Sequence, residues 1–250
     1  MNYTLFELKR LATDKEGIFF SVGLPVILYL IFGSATSYGD KPLNGGNINA
    51  YVMIGMALFA GATGAVSGAS AAVVDYQSGW GRQLALTPLT HRHYLGAQTF
   101  SLFVRASLPV AAVYITGFFA GAQMPATAWA LSCALCIAGA IPFGFYGATI
   151  AQLLRSYSAV NIASTSLVVL FFAANAFTPL SENLLKLAQY TPAYGLVALA
   201  RFPLSDGAQL INDDPWFLDH SLSAAIVNTA AWSTILILSL FLTGRNRQQK

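Results

Sequence analysis

Few side chains in this sequence can do chemistry, and those that can keep the wrong company. Cys133 and Cys136 form a C-x-x-C pair inside the apolar run Leu131–Ala140. A redox pair needs a lowered thiol pKa, and half a metal site needs a second pair of ligands. No flanking charge supplies the first, and the chain has only 2 cysteines. The pair reads as two small apolar residues on a buried helix. His91 and His93 bracket Arg92, whose charge disfavours a divalent cation. With His220 they read as solvated loop residues. There is no G-x-x-x-x-G-K-[ST], no H-E-x-x-H and no nucleophile elbow. The sequence predicts no catalytic residue, no metal site and no cofactor held by this chain.

Charge inside the apolar stretches is equally sparse. No Asp or Glu falls in the middle of one, whereas proton- and sodium-coupled carriers commonly bury such a carboxylate. That argues against an ATP-independent channel or carrier. A membrane-embedded enzyme acting on lipid needs convergent acids, histidines or a nucleophile at the surface, and none is found. Arg105 is the one charge well inside a stretch. It is expected either to meet an anionic group in a wet inner cavity, or to snorkel or pair at a helix interface.

The elements that position these residues follow from composition. Only 9% of the 250 residues are charged, 56% are hydrophobic, and mean hydropathy is +0.58. Soluble domains carry about 25% charge. Lipid must replace water around much of this chain. The net charge of +3 is too small and scattered for nucleic acid. A crossing helix needs about 20 apolar residues. The uncharged gaps predict an all-α integral membrane protein of about six spans in one domain, 1–250. The spans fall near Ile18–Phe32, Ile48–Val74, Leu95–Ala120, Ala126–Leu153, Ala159–Phe177 and Leu222–Leu242.

Three polar segments complete the plan. Residues 1–16 place Leu5, Leu8 and Leu11 on one helical face, as an interfacial amphipathic helix would; a solvated tail is the alternative. Residues 75–93 have room for one short helix. Residues 178–220 hold Pro179, Pro192, Pro203 and Pro215, with two short non-spanning helices near Glu182–Tyr190 and Ala193–Arg201. Lys9, Arg10, Lys15, Arg82, Arg92, Arg105, Arg155, Arg245, Arg247 and Lys250 fall on one side, and only Lys41, Lys186 and Arg201 on the other. The basic side is expected to be cytoplasmic. An even span number then puts both termini there, in a plasma-membrane protein.

The turn after the second span is the strongest local signal. An acid, Asp75, leaves the span, then come Gly79, Arg82, Leu84, Leu86, Thr87, Pro88, Leu89 and finally Tyr94-Leu95. This order resembles the coupling region of the type-2 ABC exporter permeases, the small six-helix permeases of drug, lipid and glycan exporters. Those have acid-x-x-x-Gly, Arg and Leu residues, Thr-Pro-Leu and an aromatic-Leu. The usual acid there is Glu rather than Asp75, and Trp80 stands where small or polar residues are commoner. Pro179, Pro192 and Tyr190–Arg201 look similar to the family's re-entrant outer helices, so the likeness covers nearly the whole chain.

The resemblance implies a transmembrane subunit with no ATPase of its own. Its partners are a separate ABC ATP-binding subunit, which holds ATP and Mg, a second permease chain, identical or paralogous, and membrane lipid. It implies an amphipathic substrate, such as a drug, antibiotic or lipid-like molecule. Asp75, Gly79, Arg82, Leu84, Leu86, Thr87 and Pro88 are the expected contact with the ATPase; an ordinary interfacial connector is the other reading. Spans 2 and 5 would flank a central cavity. Phe171, Phe172, Asn175, Asn161 and Arg105 are then candidates to meet substrate, though aromatic and amide groups also hold bundles together. Gly61, Gly64 and Gly68 on span 2 read first as a packing seam.

Overall fold

The computed structural model describes residues 3–35, 39–80, 83, 86, 90–213 and 215–248. Helix α1 (Tyr3–Thr13) leads into α2 (Lys15–Ile18), a π-helical turn (Phe19–Gly23), α3 (Leu24–Tyr29) and a second π-helical turn (Leu30–Ser34). After the hairpin β1 (Pro42–Leu43) and β2 (Gly46–Asn47) come α4 (Ile48–Asp75) and a π-helical turn (Tyr76–Trp80). Then follow α5 (His91–Phe119), α6 (Ala126–Leu154), α7 (Ser158–Ala173), α8 (Glu182–Ala188) and α9 (Tyr194–Ser205). The hairpin β3 (Ala208–Leu210) and β4 (Phe217–Asp219) precedes α10 (Leu222–Gln248).

Four helical stretches among the described residues are long and apolar enough to cross a bilayer: Ile48–Trp80, Arg92–Phe119, Ala126–Leu154 and Leu222–Gly244. Phe19–Ser34 and Ser158–Ala173 are apolar but shorter. The expected spans therefore appear as four full-length helices and two short ones. The outer short helices also differ from expectation. The first ends at Ala188, and the second runs on past Arg201 to Ser205, through Pro203.

Burial sorts the long helices. In the most apolar window of α4, 94% of residues are buried, against 11% for α10. So α4 is a central post wrapped by protein, and α10 lies at the rim. Small residues make the wrapping possible. Gly61 faces Val110 and the Ala106 carbonyl, and Gly64 faces the Arg105 carbonyl and Pro109. A Cβ on Gly64 would collide with backbone, which no rotamer change relieves. The glycine stripe is a seam between α4 and α5. Around α4, Phe59, Phe143, Phe171 and Phe177 form an aromatic cluster, with the Phe59 and Phe177 ring centroids 4.9 Å apart.

The two ends of the bundle are built differently. At one end, Asn44 and Gly45, both at positive φ, turn the β1–β2 hairpin. Asn47 caps α4 by accepting from the Ala50 N–H, at 3.0 Å, and also from the Gln123 N–H. Asn49 joins three segments here: its Oδ1 accepts from the Tyr29 hydroxyl, and its Nδ2 donates to the Ala120 carbonyl. Helices α8 and α9 and the β3–β4 hairpin close this end. Gln209 on β3 is buried and accepts from the Tyr51 hydroxyl. The other end carries α1, the termini of α4 and α6, and the segment beyond Asp75.

Candidate functional site

Asp75 is the last residue of α4, and its carboxylate faces back toward two other elements. Arg10 Nη1 of α1 sits 2.6 Å from Oδ2. The Tyr157 hydroxyl, on the three-residue loop between α6 and α7, donates to Oδ1 at 2.5 Å. The hydrogen bond to Asp75 raises the Arg10 pKa above its ordinary value, against the opposing effect of burial. It raises the Tyr157 pKa as well, because ionising that hydroxyl would abolish the bond. The sequence offered Asp75 as part of the expected contact with the ATPase. The carboxylate is engaged with Arg10 and Tyr157, and Arg82 lies outside the described residues.

The segment beyond Asp75 turns away at a definite point. The Ser78 hydroxyl donates to the Asp75 carbonyl at 2.8 Å. Gly79 has φ 109° and ψ −3°, a conformation that glycine adopts without a Cβ penalty. This is the physical reason for a glycine four residues after the acid. Trp80 stacks on Phe6 of α1, with ring centroids 6.5 Å apart, so α1 touches the turn as well as Asp75. Leu86 is 89% exposed and lies outside the helical stretches long and apolar enough to cross a bilayer. Leu84, Thr87 and Pro88 lie outside the described residues.

Helix α1 turns Glu7 toward the protein, 4% exposed, while Leu5 points outward. Leu8 and Leu11 form one wall of a cleft of about 230 Å³ whose other wall carries Val104, Arg105 and Leu108 of α5. Arg105 thus lies at a protein cleft on the α1 end. Asp14 approaches it, with Nη1 to Oδ2 at 3.8 Å. Asp14 also accepts the Gly17 N–H at 2.9 Å, which fixes the join of α1 and α2. Glu7, Arg10, Asp75, Gln98 and Ser101 line a smaller polar recess alongside.

The five residues expected to meet substrate are not brought to one place. Phe171 is buried in the aromatic cluster. Asn175 is buried too, at φ 60°, donating to the Leu210 carbonyl and accepting from the Leu180 N–H. Asn161 and Phe172 are exposed, on a face of α7 that also presents Thr165 and Val169. Arg105 is at the α1-end cleft.

One residue counted only as a charge proves to be a structural keystone. Arg201 of α9 is 1% exposed. Its Nε donates to the Tyr51 carbonyl at 3.0 Å, Nη1 to the Asn175 carbonyl at 2.7 Å, and Nη2 to the Ala176 carbonyl at 2.8 Å. The guanidinium lies over the Tyr51 ring, 3.8 Å from its centroid. Among the described residues no acid pairs with it. Gly55 leaves room for it, since a Cβ there would strike Nη2. The signal in the sequence was one cation in the apolar stretch Gly195–Leu204.

The family model for ABC-2 type transporters matches residues 4–191. That is most of the chain, and the protein belongs to the ABC-2 type transporter family. It is a multi-pass membrane protein and the transmembrane subunit of such a transporter, a permease domain without ATPase activity. Permeases of this kind generally pair with ATP-binding subunits. A search of curated proteins found no match.

Proposed function

We propose that this permease is the membrane half of an ATP-driven exporter that moves an amphipathic drug, antibiotic or lipid-like molecule out of the cytoplasm or inner leaflet. It crosses the plasma membrane six times, with the short helices Phe19–Ser34 and α7 counted as spans and both termini cytoplasmic. The observation that carries the reading is the segment after α4. It breaks at Gly79 and presents Leu86 to solvent, while Asp75 ties its root into the bundle. A permease without a P-loop must take its force from a partner, and an exposed apolar side chain on a rooted turn suits a socket on that partner. Asp75, Gly79, Arg82, Leu84, Leu86, Thr87 and Pro88 form this contact. Two permease chains pair, identical or paralogous, and the exposed α7 face with Asn161 and Phe172 borders the path between them. Mg and ATP belong to the ATPase.

The test is reconstitution. The purified permease should hydrolyse no ATP. Joined with its ABC ATP-binding subunit, it should show substrate-stimulated hydrolysis and export from vesicles. Export by the permease alone, driven by an ion gradient, would overturn the reading.

Orientation has its own test. Single cysteines at Gln77 and Asn212, both exposed, are placed in a chain whose Cys133 and Cys136 are replaced by alanine. In intact cells an impermeant thiol reagent should label Asn212→Cys and spare Gln77→Cys. The opposite pattern would invert the topology.

A further inference from the structure

Arg105 stands in the middle of the 29 residues of α5, with its side chain only 12% exposed. Among the described residues its guanidinium makes no hydrogen bond. Its one ion-pair contact there is Asp14 at 3.8 Å, well beyond the roughly 2.7–2.9 Å of a charge-assisted hydrogen bond. Buried charges are ordinarily paired, because an unpaired one is costly. Arg201 shows the contrast within the same chain, with three carbonyls taking its N–H groups. Gly68 of α4 leaves room for the Arg105 stem, since a Cβ there would strike Cδ.

The guanidinium borders two recesses of opposite character. One is the polar recess that holds Glu7, Arg10 and Asp75. The other is the cleft of about 230 Å³, whose walls are apolar apart from Arg105 and the hydroxyls of Ser21 and Ser67. Ser21 donates to the Gly17 carbonyl, while the Ser67 hydroxyl has no partner among the described residues. No acid lines this cleft. About 20 residues counted back from Phe119 span the hydrocarbon. Arg105 therefore lies only about 8 Å inside its edge at the α1 end. Helical side chains lean toward the N-terminus, which for α5 is toward the same edge.

We infer that the cleft binds one net-anionic glycerophospholipid of the adjoining leaflet, with its phosphate on Arg105 and the start of one acyl chain among Leu8, Leu11, Val104 and Leu108. The phosphodiester supplies the negative charge and the acceptor oxygens that the Arg105 fork is without. The Ser67 hydroxyl is free to donate to the same group. The headgroup is anionic rather than zwitterionic, because no lining residue is there to receive an ammonium. Basic recesses between membrane helices are a recurrent way of holding lipid phosphates. The volume admits part of one chain, and the remainder lies in the bilayer. The site is complete within this chain and needs neither the ATPase nor a substrate.

The experiment uses the purified, delipidated permease in detergent. It is titrated with dioleoylphosphatidylglycerol or dioleoylphosphatidylcholine, and native mass spectrometry reads the fraction carrying a first lipid. Phosphatidylglycerol should bind about tenfold tighter than phosphatidylcholine. Arg105→Gln should lose that advantage, and Arg105→Lys should keep most of it. Ser67→Leu fills the cleft while leaving the guanidinium in place, and should weaken the first phosphatidylglycerol by about tenfold. It keeps the test decisive if Arg105→Gln does not fold. Millimolar inorganic phosphate should not displace the lipid. Unchanged binding in Ser67→Leu, or in a folded Arg105→Gln, overturns the inference. Equal affinity for the two lipids overturns it too, and displacement by inorganic phosphate reassigns the site to the free anion. Each of these results leaves the proposed function standing, because no ATPase or transport enters the measurement.

Discussion

Replacing Leu84 and Leu86 together by aspartate is expected to strip the ATPase from the permease without disturbing insertion. Leu86 stands 89% exposed beyond the kink at Gly79, so its side chain is not buried within this chain. Truncating an interface anchor commonly costs about 2 kcal/mol or more. That corresponds to roughly 30-fold in affinity, and two buried carboxylates add a desolvation penalty. Co-purification and substrate-stimulated hydrolysis should both fall to background. The control is Asn212→Ala, exposed at the opposite end of the bundle. Gln209 would not serve, because it is buried and bonded to Tyr51. If the double variant binds its ATPase and exports normally, the turn is only a connector.

The second large effect concerns Arg201. Changing it to methionine keeps much of the volume but strands the carbonyls of Asn175 and Ala176 and removes the second bond to the Tyr51 carbonyl, which stays paired within α4. Asn175 and Ala176 follow the end of α7, beyond the reach of its regular hydrogen bonds. A buried acceptor left unpaired costs about 1–3 kcal/mol. The loss should therefore exceed about 2 kcal/mol, visible as a lowered melting temperature of the detergent-solubilised protein. Arg201→Lys keeps a charge but lacks the planar fork that reaches three acceptors over a ring, and should fall between. The asymmetry decides the sign: exchanging a whole buried polar cluster for apolar groups can be neutral, but removing one side of it is not. Wild-type stability in Arg201→Met would show the clamp to be dispensable.

The helices were legible because lipid imposes a coarse rule. A crossing segment must be apolar for its whole length, so charge-free gaps located α4, α5, α6 and α10 within a few residues. The acid, glycine and leucine spacing after α4 was legible for a similar reason: a chain that must turn sharply needs glycine at positive φ, and Gly79 is there. Side-chain partners were not legible. Nothing local to Asp75 points to Arg10 or Tyr157, because those contacts join residues 65 and 82 positions away. Phe171 and Asn175 illustrate the same limit. Apolar and amide residues on one helix look alike whether they face a cavity or a core, and only the wrapping of α4 by its neighbours puts these two inside. Arg201 was counted for its charge, but its work lies in its shape and its five N–H groups.

The lengths of the helices bear on the bilayer itself. At 1.5 Å per residue, the 16 residues of α7 extend about 24 Å. The run Phe19–Ser34 is of the same length, and its two π-helical turns shorten it further. Both fall below the hydrocarbon thickness of about 30 Å, while α4 with 28 residues exceeds it. A span shorter than its membrane draws the two leaflets together beside it. Phe19, Phe20, Asn161 and Phe172 are exposed on these two short helices, and in the proposed six-span topology the two leaflets would be drawn closest together beside them.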